Sequence, residues 1–215
     1  MSALQLQRNL GLGSYRTAWH LAYRIREAMR CEPVAGMLNG DVQADETYIG
    51  GKPRPGDGKI HKRGRGTAKT PVLVLVETNG NAHARPMEKV TSKTLRAAMD
   101  ETTAKTACIV TDEFPAYRQA AAAFEGGHQT VNHANGQYVN KDGFTTNTAE
   151  SFFAIMKRGV YGTFHQVGKG HLHRYCNEFS FRRNGRKLMD SERRDLAVKG
   201  AEGKRLTYKR PIGND

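Results

Sequence analysis

Val72-Leu73-Val74-Leu75-Val76 is the longest clean apolar run in the chain, and it limits the fold more than any other feature. It is far shorter than the roughly 18 apolar residues that span a bilayer, so the sequence offers no transmembrane segment. Short, rich in Val and Leu, and followed by Asn79-Gly80, it reads as a buried strand turned by a hairpin into a second strand near Ala82 to Met87. Val42 to Ile49 and Thr106 to Thr111 read as further strands, and His128 to Asn132 as a short one. Between them, helical spacing marks Thr91 to Thr103, with Leu95, Ala98 and Met99 inward, then Phe114 to Phe124 and Asn147 to Arg158. A last helix is expected between His171 and Asn184. Strands and helices in this order indicate an α/β layered sheet with helices on both faces.

The first thirty residues have a different texture. Leu4, Leu6 and Leu10 suggest a short helix, Gly11 and Gly13 a turn, and Ala18, Leu21, Ala22, Ile25 and Met29 an amphipathic helix from about Tyr15 to Arg30, with Ser14 placed to cap it. The outline fits a helix-turn-helix in which Tyr15, Arg16, Thr17 and His20 face a DNA groove, and it equally fits an ordinary helical hairpin. Three units follow: 1–32 as a helix-turn-helix-like segment, 40–198 as the α/β domain and 199–215 as a polar, frayed tail.

Lys and Arg number 34 against 21 Asp and Glu, a net charge of +13. Such an excess favours a polyanion, because each phosphate contact releases a condensed counterion; nucleic acid is the first candidate, and no basic amphipathic helix argues for a membrane surface. Lys52, Arg54, Lys59, Lys62, Arg63, Arg65 and Lys69 share one glycine- and proline-rich loop with the single acid Asp57, and the loop can lie along a phosphate backbone or simply be solvated. Cys31, Cys108 and Cys176 are odd in number and far apart, which gives neither a disulfide framework nor a zinc spacing. With no signal-peptide pattern at the start, the expected location is the cytoplasm.

Within this basic chain, Asp45 lies in one strand-like stretch, Asp112 ends another, and Glu150 stands seven residues before Lys157 on one helix face. Carboxylates on strands are natural ligands for magnesium, and two metal ions can activate a water or hydroxyl and stabilise the leaving oxygen of an in-line displacement on phosphorus. Each acid also has a plainer reading. Asp45 can face solvent, Asp112 can cap the next helix, and Asn147-Thr148-Ala149-Glu150 fits a capping box with Asn147 as N-cap. His165, His171 and His173 cluster near Lys169 and Arg174 without a tight zinc spacing, and contact with phosphate or packing fits them better.

Asp45-Glu46-Thr47-Tyr48-Ile49-Gly50-Gly51-Lys52, Thr111-Asp112-Glu113-Phe114-Pro115-Ala116-Tyr117 and Asn147-Thr148-Ala149-Glu150-Ser151-Phe152-Phe153, running into Lys157-Arg158-Gly159, resemble the ISXO-like bacterial insertion-sequence transposases. Gly162-Thr163-Phe164-His165 and the stretch from His171 to Asn184 continue the likeness. The resemblance implies a ribonuclease-H-like core, magnesium dependence with two ions for which manganese can substitute, and DDE-type DNA cleavage and strand transfer. It assigns Asp45, Asp112 and Glu150 as metal ligands and catalytic residues, with Asn147 as the alternative third, since some members use asparagine there. Lys157 is then expected on a transposon-end phosphate, with Arg158, Arg16, Lys52, Lys62, Arg63 and Arg65 also on DNA. The implied partners are the element's terminal repeats, target DNA and further copies of the chain. Longer members carry a cysteine-rich zinc ribbon ahead of the helix-turn-helix, a pattern not found in this sequence. A structure-selective nuclease on the same core and a non-catalytic DNA-binding regulator are the rival readings.

Overall fold

Five strands form one mixed sheet in the order β3-β2-β1-β4-β5, where β1 is Asp41–Ile49, β2 Thr70–Glu77, β3 Ala82–Pro86, β4 Cys108–Thr111 and β5 His128–Thr130. The computed structural model describes residues 1–31, 36–51, 66–132 and 136–209. The first three strands are antiparallel, β2 and β3 as the tight Asn79-Gly80 turn requires, while β4 and β5 join parallel to β1 through helical crossovers. This order and these directions are those of the ribonuclease-H-like sheet that the sequence resemblance implies. Its helices are α1 Ala3–Asn9, α2 Tyr15–Ala28, α3 Ser92–Thr102, α4 Pro115–Ala121, α5 Asn147–Arg158, α6 Leu172–Asn184 and α7 Asp190–Lys199.

The apolar run in β2 is continuous because the strand is covered on both sides. Leu73 and Leu75 join Val42, Ala44 and Ile109 under α3 and α4, whereas Val72, Val74 and Val76 join Ile49 under α5 and α6. β1 alternates in the same phase, so Val42 and Ala44 lie in the first core while Gln43 and Asp45 are turned to the side of α5 and α6. That phase puts polar residues on the inner face next to α5.

The free side of β3 is closed by α6. Asn184 Oδ1 accepts from the Ala82 amide at 2.7 Å and Ser180 Oγ accepts from the Ala84 amide at 3.0 Å. The next outward position is Pro86, which has no amide hydrogen.

Of the N-terminal helices, α2 packs on α6 and α7, and α1 packs on α2. α2 buries Ala18, Ala22, Tyr23 and Arg26, and the Arg26 guanidinium bonds Glu178 on α6 at 2.8 Å while lying 4.3 Å from the centre of the Tyr175 ring. Tyr15, Arg16 and Thr17 are exposed, and His20 meets the Tyr208 ring edge-on. Ser14 stands at the N-cap of α2 but makes no side-chain cap bond. Sequence periodicity gives no sign of α7, which buries none of its residues and has no apolar stripe. Beyond it, Leu206 is buried and Tyr208 packs against Trp19, so this part of the expected tail is anchored. Among the described residues no helix is long and apolar enough to cross a membrane.

Candidate active site

Parallel pairing of β1 with β4 matches Ala44 to Thr111. The next residue in each segment is an aspartate, Asp45 within β1 and Asp112 just past the end of β4, so the two stand side by side, about 5 Å apart across the sheet. Asp45 Oδ1 accepts from the Glu46 amide at 2.7 Å, and Asp112 Oδ1 accepts from the Phe114 amide at 3.0 Å. The second bond turns the chain towards α4 without capping it, for the N-cap residue is Phe114, which makes no cap bond. Behind Asp112, Thr111 Oγ1 is 2.9 Å from His128 Nε2 on β5, which fixes the end of the strand. On the opposite face, the buried Tyr117 hydroxyl donates to Glu46 Oε2 at 2.8 Å, so Glu46 is tied beneath the sheet and turned away from the Asp45 side.

The third acid comes from α5, held by a strand residue. The alternative capping-box reading of Glu150 does not hold: Thr146 is the N-cap, its side chain makes no cap bond, and Asn147 is already the first helical residue. Its place is taken by Gln43, two residues before Asp45 and fully buried, whose Oε1 accepts from the Thr148 amide at 2.9 Å and the Ala149 amide at 3.1 Å. Gln43 Nε2 donates to Thr78 Oγ1 and Thr148 Oγ1, both at 3.3 Å. Two of the amides that a helix start leaves open are thereby satisfied from near the start of β1.

That contact sets which residues of α5 look towards the acids. Ala149, Phe152, Phe153 and Met156 form the buried stripe. At about 100° per residue, Glu150 and Lys157 fall together on one flank of it, while Asn147 and Arg158 lie on the outer side, away from the sheet. Glu150 and Asn147 are both solvent-exposed, and Lys157 is partly buried. Past Arg158 the helix widens into a π-helical turn, Gly159–Phe164, which His165 leaves with a φ of 59°. Gln166 then lies against Gly51 just beyond β1.

Among the acids, Asp45 bears the electrostatic effect of its neighbours. Burial pushes the Asp45 carboxyl up to about 7, and the charges of Glu46, Asp112 and Glu150 add to the rise against the opposing Glu46 amide bond. Among the described residues no three His, Cys, Asp or Glu side chains converge closely enough to ligate a single ion. The donors are nonetheless all hard oxygens that repel one another, the set that suits magnesium rather than zinc. The histidines expected near α6 are packing groups in part: His171 sits edge-on to Trp19 and Tyr23. Arg16 is carried on α2 with its guanidinium 5.5 Å from the Tyr208 ring. Lys52, Lys62, Arg63 and Arg65 lie outside the described residues.

Sequence reasoning missed Gln43, Tyr117 and the Arg26–Glu178 pair. For Gln43 a signal existed: it is polar in a strand whose neighbours Val42 and Ala44 are apolar, and it shares the parity of Asp45.

Residues 37–184 match the ISXO2-like transposase domain. A protein of transposable element ISH50 from Halobacterium salinarum is 30% identical over 181 residues, 79% of this chain and 60% of the relative, so the chain spans less than two thirds of that curated relative. Among solved structures, the Mos1 strand transfer complex aligns with a TM-score of 0.39 and 12% identity over 96% of this chain and 64% of that one. The Mos1 transposase paired-end complex with left transposon end gives 0.27 and 13% over 77% and 56%. The match over 37–184 takes in the whole sheet, all three acids and the helices from α3 to α6, and the chain belongs to the ISXO2-like transposase domain family.

Proposed function

We propose that this chain is a DDE-type transposase that cleaves DNA at the ends of an insertion sequence and transfers the freed strand to target DNA. The observation that carries the reading is the pairing of Ala44 with Thr111, which sets Asp45 beside Asp112, with Glu150 close enough for its charge to act on Asp45. Asp45, Asp112 and Glu150 are the residues to hold two magnesium ions, with manganese as substitute, and Asn147 is the less favoured third ligand because it lies on the outer side of α5. Bound there, the metal supplies charge neutralisation at the scissile phosphate and an acidified attacking oxygen. Strand transfer forms one phosphorus–oxygen bond to the attacking 3′-hydroxyl and breaks one to the target strand, whose 3′-oxygen leaves and takes a proton. Lys157, on the same flank as Glu150, contacts an end phosphate, and Arg158 and Arg16 reach other parts of the backbone. Lys52, Lys62, Arg63 and Arg65 belong to the same proposed DNA surface, and the chain works as a homo-oligomer on DNA, without a membrane, in the cytoplasm. The units 1–32, 40–198 and 199–215 divide these tasks into end recognition, catalysis and tail.

Labelled terminal repeats incubated with target DNA and magnesium test the reading. Asp45→Ala and Asp112→Ala are expected to lower cleavage at least a hundredfold while DNA binding stays within a few-fold. Equal activity in the variants removes the catalytic assignment. Cut products that are never joined identify a nuclease, and binding that needs the first thirty residues with no metal response identifies a regulator.

A further inference from the structure

We infer that Gln43 is the positioning residue that fixes α5, and with it Glu150, against the strand that carries Asp45; the inference rests on the metal-dependent reading above and deepens it. Gln43 is fully buried near the start of β1, the middle strand of the sheet, an environment that an amide tolerates only when its polar atoms are matched. All of its reach is used at one place. Its oxygen takes two successive amides at the start of α5, and its nitrogen holds Thr148 on that helix and Thr78 at the end of β2.

No capping side chain of α5 does this job, since the Thr146 side chain makes no cap bond. Two amides bonded to one oxygen constrain both the height of the helix start along β1 and its rotation. Glu150 follows Ala149 directly, and Asp45 lies two residues beyond Gln43 on the same face of the strand. A single side chain thereby spans the elements that bear the first and third acids. If the helix rotates by one residue's worth, about 100°, Glu150 leaves its flank and the buried stripe of Ala149, Phe152, Phe153 and Met156 is broken.

The test uses the full chain with Gln43→Met, which keeps length and volume but cannot accept from the two amides, and Gln43→Glu, which keeps an acceptor oxygen. Amide hydrogen exchange at Thr148 and Ala149 is read first and needs neither metal nor DNA. Exchange there is expected to quicken at least tenfold in Gln43→Met and to stay near the parent value in Gln43→Glu. Manganese affinity, measured by calorimetry, is expected to fall about tenfold in Gln43→Met, the usual loss when a group that orients a ligand is removed. Catalytic turnover should drop with it while KM for terminal-repeat DNA holds. Unchanged exchange and unchanged manganese affinity in Gln43→Met overturn the inference. Should Gln43→Met fail to fold, Gln43→Glu decides: protected amides support the clamp and fast exchange refutes it. A parent protein that binds no manganese sinks the metal reading on its own, and the exchange result still tells whether Gln43 holds the helix.

Discussion

Asp45 bears most of the electrostatic cost of the site. Its carboxyl is raised from an ordinary 3.8 to about 7, by burial first and then by the neighbouring acids. A raised value means that the folded state holds the proton more tightly, so this contribution to stability is complete below about pH 4 and is lost as pH climbs through 7. The metal-free protein is therefore expected to lose stability relative to Asp45→Asn between those limits, by a few kcal/mol at one pH unit per roughly 1.4 kcal/mol. Urea unfolding of the two proteins at pH 4, 6 and 8 checks it, and parallel stability curves would show that Asp45 is not perturbed. Magnesium at pH 8 should narrow the gap, since an ion held by Asp45 binds the folded state alone. At this scale the sequence was readable where chemistry and punctuation coincide: Asp45 precedes a glycine pair and Asp112 ends an apolar run. Gln43 and Tyr117 were not, because a buried polar side chain reveals its use only through partners that are distant in sequence, such as Thr148 for one and Glu46 for the other.

Among elements, the ones with a buried stripe could be read and those without could not. α5 was legible with its observed limits because Ala149, Phe152, Phe153 and Met156 recur at helical spacing, whereas α7 offers no periodicity and is placed by contacts at its ends. Gly200, just after α7, comes so near α2 that an added Cβ would lie 2.3 Å from the Ala28 carbonyl oxygen. The junction of α5 with its π-helical turn is equally close, for a Cβ on Gly159 would meet the Phe179 ring at 2.4 Å. Gly159→Ala is expected to cost about 1–3 kcal/mol through overpacking, read as a lower melting temperature. The tie between α2 and α6 gives a sharper case. Glu178→Ala leaves the Arg26 guanidinium, 5% exposed, without its carboxylate and should destabilise by roughly 3–5 kcal/mol, whereas an apolar pair at both positions should cost much less. Chemical denaturation of these two variants beside the parent decides between a paired charge and a merely packed one.

For the molecule as a whole, charge and docking make separable demands. The net charge of +13 predicts DNA affinity that falls steeply with salt, about −0.9 in logarithmic slope for every duplex phosphate contacted. Lys157→Ala should flatten the slope by about that amount, and an unaltered slope in salt titrations would place Lys157 off the backbone. The N-terminal helices complicate the simple picture of a detachable reader, because α2 covers α6 through Arg26 and Tyr23. Removing residues 1–31 is expected to lower the melting temperature of the remainder as well as its affinity for DNA. The sequence suggested a helix-turn-helix there from spacing alone, and spacing carries no information about what the apolar side of a helix rests on. The closed side of β3 has a consequence for crowding. Ala82 and Ala84 have given their outward hydrogens to α6, and Pro86 has none to give, so an incoming extended segment finds no donor along that border. Copies brought close to one another are thus kept from stitching their sheets together there, and the chain can reach high local density without seeding fibrous aggregates from that edge.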